Sequence, residues 1–170
     1  MSCLGVLFAV PEETVEHIRQ LPMAKRPEYI SEELEELYFE DYPERTYELD
    51  KAWDAIHRSL TDGSLCFDCG EYPLGGVILG GELLYFDGEE YDDYIITAKP
   101  PFMVSQLAQG LEMLTKAQFK KGYDSIDDTY PEEERSKEDM EYSWEYLQDA
   151  VPFFRHAAKQ GLWVLFTADQ

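Results

Sequence analysis

The chain has 170 residues, 44% of them apolar and 14% aromatic, with twelve Tyr and nine Phe; that suffices for one core and is too apolar for a disordered chain. Its 36 acidic against 14 basic residues leave a net charge of -22. Such a surface repels phosphate backbones and anionic lipid, which excludes direct nucleic-acid binding and membrane binding.

In chain order, Cys3 to Val10 is a continuously apolar run ended by Pro11, the pattern of a strand buried on both faces. It has no positive flank and no small-residue cleavage site, so it is not read as a secretory signal. "PEETVEHIRQL", 11 to 21, puts Pro at a first helical position, acids in the first turn, and Val15, Ile18 and Leu21 at helical spacing. A second, acidic helix is expected from Ser31 to about Phe39, with Leu34, Leu37 and Tyr38 on one face, ended by Pro43. Asp50 is expected to cap a helix carrying Leu49, Trp53, Ile56 and Leu60 at four-three-four spacing, stopped by Asp62-Gly63.

"GGVILGGELLYF", 75 to 86, reads as a glycine-flanked strand or hairpin and "YIIT", 94 to 97, as another strand. Lys99-Pro100-Pro101 opens a helix through Val104, Leu107, Leu111 and Leu114. A last long helix starts near Ser136, with Met140, Trp144, Leu147, Val151, Phe154 and Ala158 on one face and a kink or break at Pro152. Gly161 ends it, and "LWVLFTA" closes the set as a final strand. No stretch reaches the roughly 18 apolar residues that span a bilayer. The sum is an α+β chain: one compact domain over 1–170, with a small mixed or antiparallel sheet and several helices packed on it.

The charge is unevenly placed. Segments 28–54 and 124–149 each carry eleven acids and two bases, and 82–93 carries six acids and no base. The first two also hold aromatics, among them Tyr29, Tyr38, Phe39, Tyr42, Tyr47, Tyr130, Tyr142, Trp144 and Tyr146. Exposed tyrosine amid carboxylates is the composition of a surface that meets a basic protein, although acidity also serves solubility alone.

Chemical motifs are weak. Cys66 and Cys69 form a Cys-x-x-Cys pair, but a structural zinc site takes four ligands, and Cys3, His17, His57 and His156 are remote in sequence. The pair follows a helix and precedes glycines, unlike the thioredoxin arrangement, so it is read as structural, with no metal and no cofactor expected. "PLGGVILGG" lacks both the P-loop ending and the dinucleotide spacing, so its glycines are read as turns or close approaches. "DGEEYDD", 87 to 93, has its Gly misplaced for an EF-hand and is read as a solvated acidic loop. His57 follows Trp53 by one turn, and no nucleophile elbow serves it; it is the weak catalytic candidate. Three cysteines make no disulfide framework, which points to a reducing cytoplasm.

Taken together, "LDKAWDAIHRSLTDG" at 49–63, "PLGGVILGG", "YIITAKPP", "TYP" at 129–131 and "AAKQGLWVLF" resemble the bacterial YfbM-like family, in order along essentially the whole chain. The Cys66/Cys69 pair and Pro100-Pro101 depart from that pattern. The resemblance implies a single α+β domain in a bacterial cytoplasm and supplies no reaction, cofactor or catalytic residue. Two functional expectations remain. The first is a non-enzymatic, acidic binding module of inhibitor or immunity type, meeting a basic protein partner through Glu132, Glu133, Glu134, Tyr130 and Tyr142. The second is a small enzyme or ligand-binding protein with a site near Trp53, His57 and the Gly80-Gly81 turn.

Overall fold

The computed structural model describes residues 4–86, 88 and 94–169. Five strands, β1 (Leu4–Val10), β2 (Thr46–Asp50), β3 (Glu82–Tyr85), β4 (Ile95–Lys99) and β5 (Trp163–Asp169), form one sheet in the order β2-β1-β5-β4-β3. Every pairing is antiparallel, and β1 meets β5 in unbroken register from Leu4↔Asp169 to Val10↔Trp163. The continuous apolarity of β1 has a direct cause. Alternate side chains point to opposite faces of a strand, and both faces here are covered: Leu7 and Ala9 enter one apolar cluster, Val6, Phe8 and Val10 the other.

One face is covered by α1 (Glu12–Gln20), α2 (Arg26–Tyr29) and α3 (Glu35–Asp41), which contribute Val15, Ile18 and Tyr38. Between α2 and α3 the backbone stays helical through a wider π segment, Ile30–Leu34, whose Ile30 and Leu34 are buried. The acidic helix expected over 31–39 therefore begins earlier. The other face is covered by α4 (Ala52–Ser59), α5 (Pro101–Met113), α6 (Lys116–Tyr123) and α7 (Lys137–Lys159), with Trp53, Ile56, Val104, Leu107, Phe119, Leu147 and Phe154 in the core.

Several expectations change. Asp50 does not cap α4: it ends β2 with φ 51, and Lys51 takes the cap position. Its carboxylate accepts the hydroxyl of Tyr142 at 2.8 Å instead. The apolar run Val77-Ile78-Leu79 is a buried turn after a short 3-10 segment, Leu74–Gly76, and only 82–85 pairs as a strand. α7 runs through Pro152 without a break, with Ser136 capping it by accepting from the Asp139 N–H at 2.9 Å. Gly161 follows with φ 65. Cys3 and most of the acidic run 87–93 lie outside the described residues. Among the described residues no helix is long and apolar enough to cross a membrane.

Candidate functional site

Two regions concentrate chemistry. The first lies at the C-terminal end of α4. Trp53 is buried against Phe166, ring centroids 5.4 Å apart. His57, one turn on, is 1% exposed. The Gly63 N–H bonds back to the Arg58 carbonyl, and Asp62 Oδ1 accepts both the Ser64 N–H at 3.0 Å and the Ser64 hydroxyl at 2.6 Å, so the chain reverses and lays residues 62–69 over the helix end. His57 Nε2 then donates to the Cys66 carbonyl at 2.7 Å and lies 3.7 Å from Cys69 Sγ, while Nδ1 is buried without a partner among the described residues. Burial holds the imidazole neutral, with its pKa pushed down to about 4 against the opposing pull of the Cys66 carbonyl; Lys99 and Arg58 add to the downward shift.

Cys66 and Cys69 are joined by a disulfide across Cα atoms 5.8 Å apart. Lys99, whose charge is felt at His57, is fully buried, its Nζ donating to the Ile78 carbonyl at 2.6 Å and to Thr97 Oγ1 at 3.3 Å. Burial alone lowers its pKa to about 7. Sequence reasoning took Lys99 only as the residue before the two prolines that open a helix, and so missed this buried amine. The Gly80-Gly81 turn is the tight approach that buries it: Gly81 has φ 95, and a Cβ there would lie 2.2 Å from the Ala98 carbonyl oxygen.

The second region is acidic. Residues of 28–54 and 124–149, far apart in sequence, meet where Tyr47 donates to the Tyr146 carbonyl at 2.6 Å and Tyr142 donates to Asp50. Beside this junction, Glu35, Glu48, Asp50 and Asp169 converge with Phe39, Tyr94 and Tyr146 on a cleft of about 400 Å³, and no basic side chain lines it among the described residues. Burial raises the pKa of Glu35, and Asp169 and Glu48 raise it further by like-charge repulsion. Sequence inspection named Asp50 only as a helix cap and the other three not at all; Glu48 and Asp50 lie on β2, which was not recognised as a strand.

Of the named contact residues, Glu132, Glu133 and Glu134 are exposed. Tyr130 is not a surface anchor: it is buried, donating to Asp139 Oδ2 at 2.9 Å beneath the Arg58 guanidinium. The same carboxylate oxygen accepts Tyr123 at 2.5 Å. Tyr142 is half-buried and packs on Tyr146 at 4.8 Å.

No curated protein matches the sequence. The chain is similar in structure to YfbM from Escherichia coli, a protein of unknown function, with a TM-score of 0.63 at 17% identity over 97% of this chain and 99% of that one. At that identity the likeness carries the fold alone. The model of a domain of unknown function, DUF1877, matches residues 1–167, and the chain belongs to that family.

Proposed function

We propose that the protein is a non-enzymatic, acidic binding module of the cytoplasm, and that it receives a basic protein whose lysine or arginine side chain enters the Glu35–Glu48–Asp50–Asp169 cleft. The observation that carries this reading is the convergence of four carboxylates and three aromatic rings without a lining base. Like charges held together in a half-buried cleft repel one another: Asp169 and Glu48 add to the rise in the Glu35 pKa that burial begins. A cation relieves that repulsion, and the rings of Phe39, Tyr94 and Tyr146 offer it π faces. Glu132, Glu133 and Glu134, exposed and outside every ion pair found among the described residues, add to the long-range field that steers the encounter.

The test begins with affinity capture at low salt from the native host and proceeds to kinetics with the recovered protein. The reading expects a basic partner whose association slows by roughly tenfold or more as salt rises. Glu48→Lys with Glu35→Lys should raise the dissociation rate, whereas reversal of Glu132, Glu133 and Glu134 should slow association more than it speeds release. Capture of no basic protein, or a complex indifferent to salt and to both sets of reversals, refutes it.

A further inference from the structure

The Cys66–Cys69 pair supplies only two donors in the sequence, yet the fold surrounds it with more. The sulfurs of Cys66 and Cys69 and a carboxylate oxygen of Asp62 lie within 4.8 Å of one another. His57 Nε2 lies 3.7 Å from Cys69 Sγ. Tetrahedral zinc, with bonds of about 2.0 Å to nitrogen or oxygen and about 2.3 Å to sulfur, sets its ligands roughly 3.3 to 3.8 Å apart. We propose that in the reduced protein Cys66, Cys69 and Asp62 form a binding site for a borderline-soft divalent cation, zinc foremost, and that His57, which stands beside Cys69 but outside that cluster of three, moves in as the fourth ligand.

The donor set selects the ion. Two thiolates exclude calcium and magnesium and favour zinc, and an imidazole with one carboxylate completes the four ligands of a closed tetrahedral site. His57 Nε2 is the ring nitrogen that faces Cys69, and its present partner is the Cys66 carbonyl. On ligation Nε2 exchanges the Cys66 carbonyl for the ion, and the proton moves to Nδ1. Three anionic donors on a dication leave one net negative charge.

The backbone supports a closed chelate loop. All four ligands lie within thirteen residues, and Gly70, with φ 91, brings the loop end back against Thr61, where an added Cβ would meet the Thr61 Cα at 2.8 Å. Access is open, since Asp62 is exposed and a groove of about 710 Å³ runs past Thr61, Asp62 and Gly70. The site shares no residue with the acidic cleft and stands independently of the binding function proposed above.

Disulfide and metal exclude each other at this pair. A dithiol reductant breaks the S–S bond by supplying two electrons and two protons, itself closing to a disulfide. Zinc then displaces both thiol protons on binding.

The test uses the full chain, reduced with a phosphine that is then removed without air, and titrated with cobalt and with zinc against a chromophoric chelator. The site predicts one ion per chain, tetrahedral cobalt bands with thiolate charge transfer, and no binding by the oxidised protein. Cys66→Ser and Cys69→Ser should abolish the charge-transfer band. Asp62→Asn, at an exposed position, should weaken zinc by roughly tenfold or more with the fold intact by circular dichroism. Failure of the reduced wild type to bind one ion per chain, or undiminished binding by the Cys66→Ser/Cys69→Ser double variant and by Asp62→Asn, overturns the proposal.

Discussion

Replacing Lys99 by Met should stabilise the protein at neutral pH, and the gain should shrink as pH rises. The amine is wholly buried, and burial lowers its pKa from 10.5 to about 7. Between those values the unfolded chain holds a proton that the folded one does not. Folding is therefore penalised by about 1.4 kcal/mol for each pH unit below 10.5, or about 5 kcal/mol at pH 7. The full stability is present above 10.5 and is lost as pH falls toward 7. Methionine has nearly the same length and no charge to desolvate. It forfeits the hydrogen bond to the Ile78 carbonyl, but the Thr97 hydroxyl also donates to that carbonyl, at 3.2 Å, which limits the loss to about 1 kcal/mol. The net gain is then about 4 kcal/mol at pH 7 and about 1 kcal/mol at pH 9. Paired denaturant unfolding of wild type and Lys99→Met at the two pH values measures it, and the titrations that Lys99 does not influence cancel in the difference. A variant less stable than wild type at pH 7, or a difference that does not change with pH, would refute the reasoning.

Trp53→Ala should cost about 3 to 5 kcal/mol, because the indole is buried against Phe166 in the centre of one core; thermal unfolding measures it, and a negligible shift would unseat the packing described. Gly122→Ala should be at least as damaging, because a Cβ on α6 would lie 1.8 Å from the Ser59 carbonyl oxygen of α4 and must force the two helices apart. Soluble yield and melting temperature report this. Ser136→Ala removes the N-cap of α7 and should cost about 1 kcal/mol in denaturant unfolding, with Ser136→Asp retaining most of it.

The elements legible in the sequence are those whose burial is itself periodic. β1 and β5 are apolar on both faces because helices cover both, and α4 and α7 show their inner stripe. β2 escaped because it is an edge strand within an acid-dense stretch, where Glu48 and Asp50 flank a single buried Leu49. Val77-Ile78-Leu79 misled in the opposite direction: the run is apolar because it is buried, but Gly76 and Gly80 come too close for any side chain, a Cβ on Gly80 meeting Gly76 Cα at 2.3 Å, and the chain turns instead of extending. α6 offered few apolar positions, though Thr115 and Gln118 spell the capping box that starts it. At the site, a Cys-x-x-Cys pair weighed alone has two donors. The donors added by His57 and Asp62 depend on how the loop after α4 reverses, which no spacing rule reveals.

The position of β5 has a consequence for synthesis. This strand, last of the five in chain order, lies between β1 and β4 and joins them. While a ribosome is still making the helices, β1–β2 and β4–β3 exist only as two separate hairpin-like pieces with open inner edges. The five-stranded sheet cannot close until residues 163–169 are free to pair, so until then both inner edges stay open to other chains. A chain lacking residues 163–169 would keep two unpaired edges and be prone to edge-to-edge association, a far larger defect than a slight loss of stability.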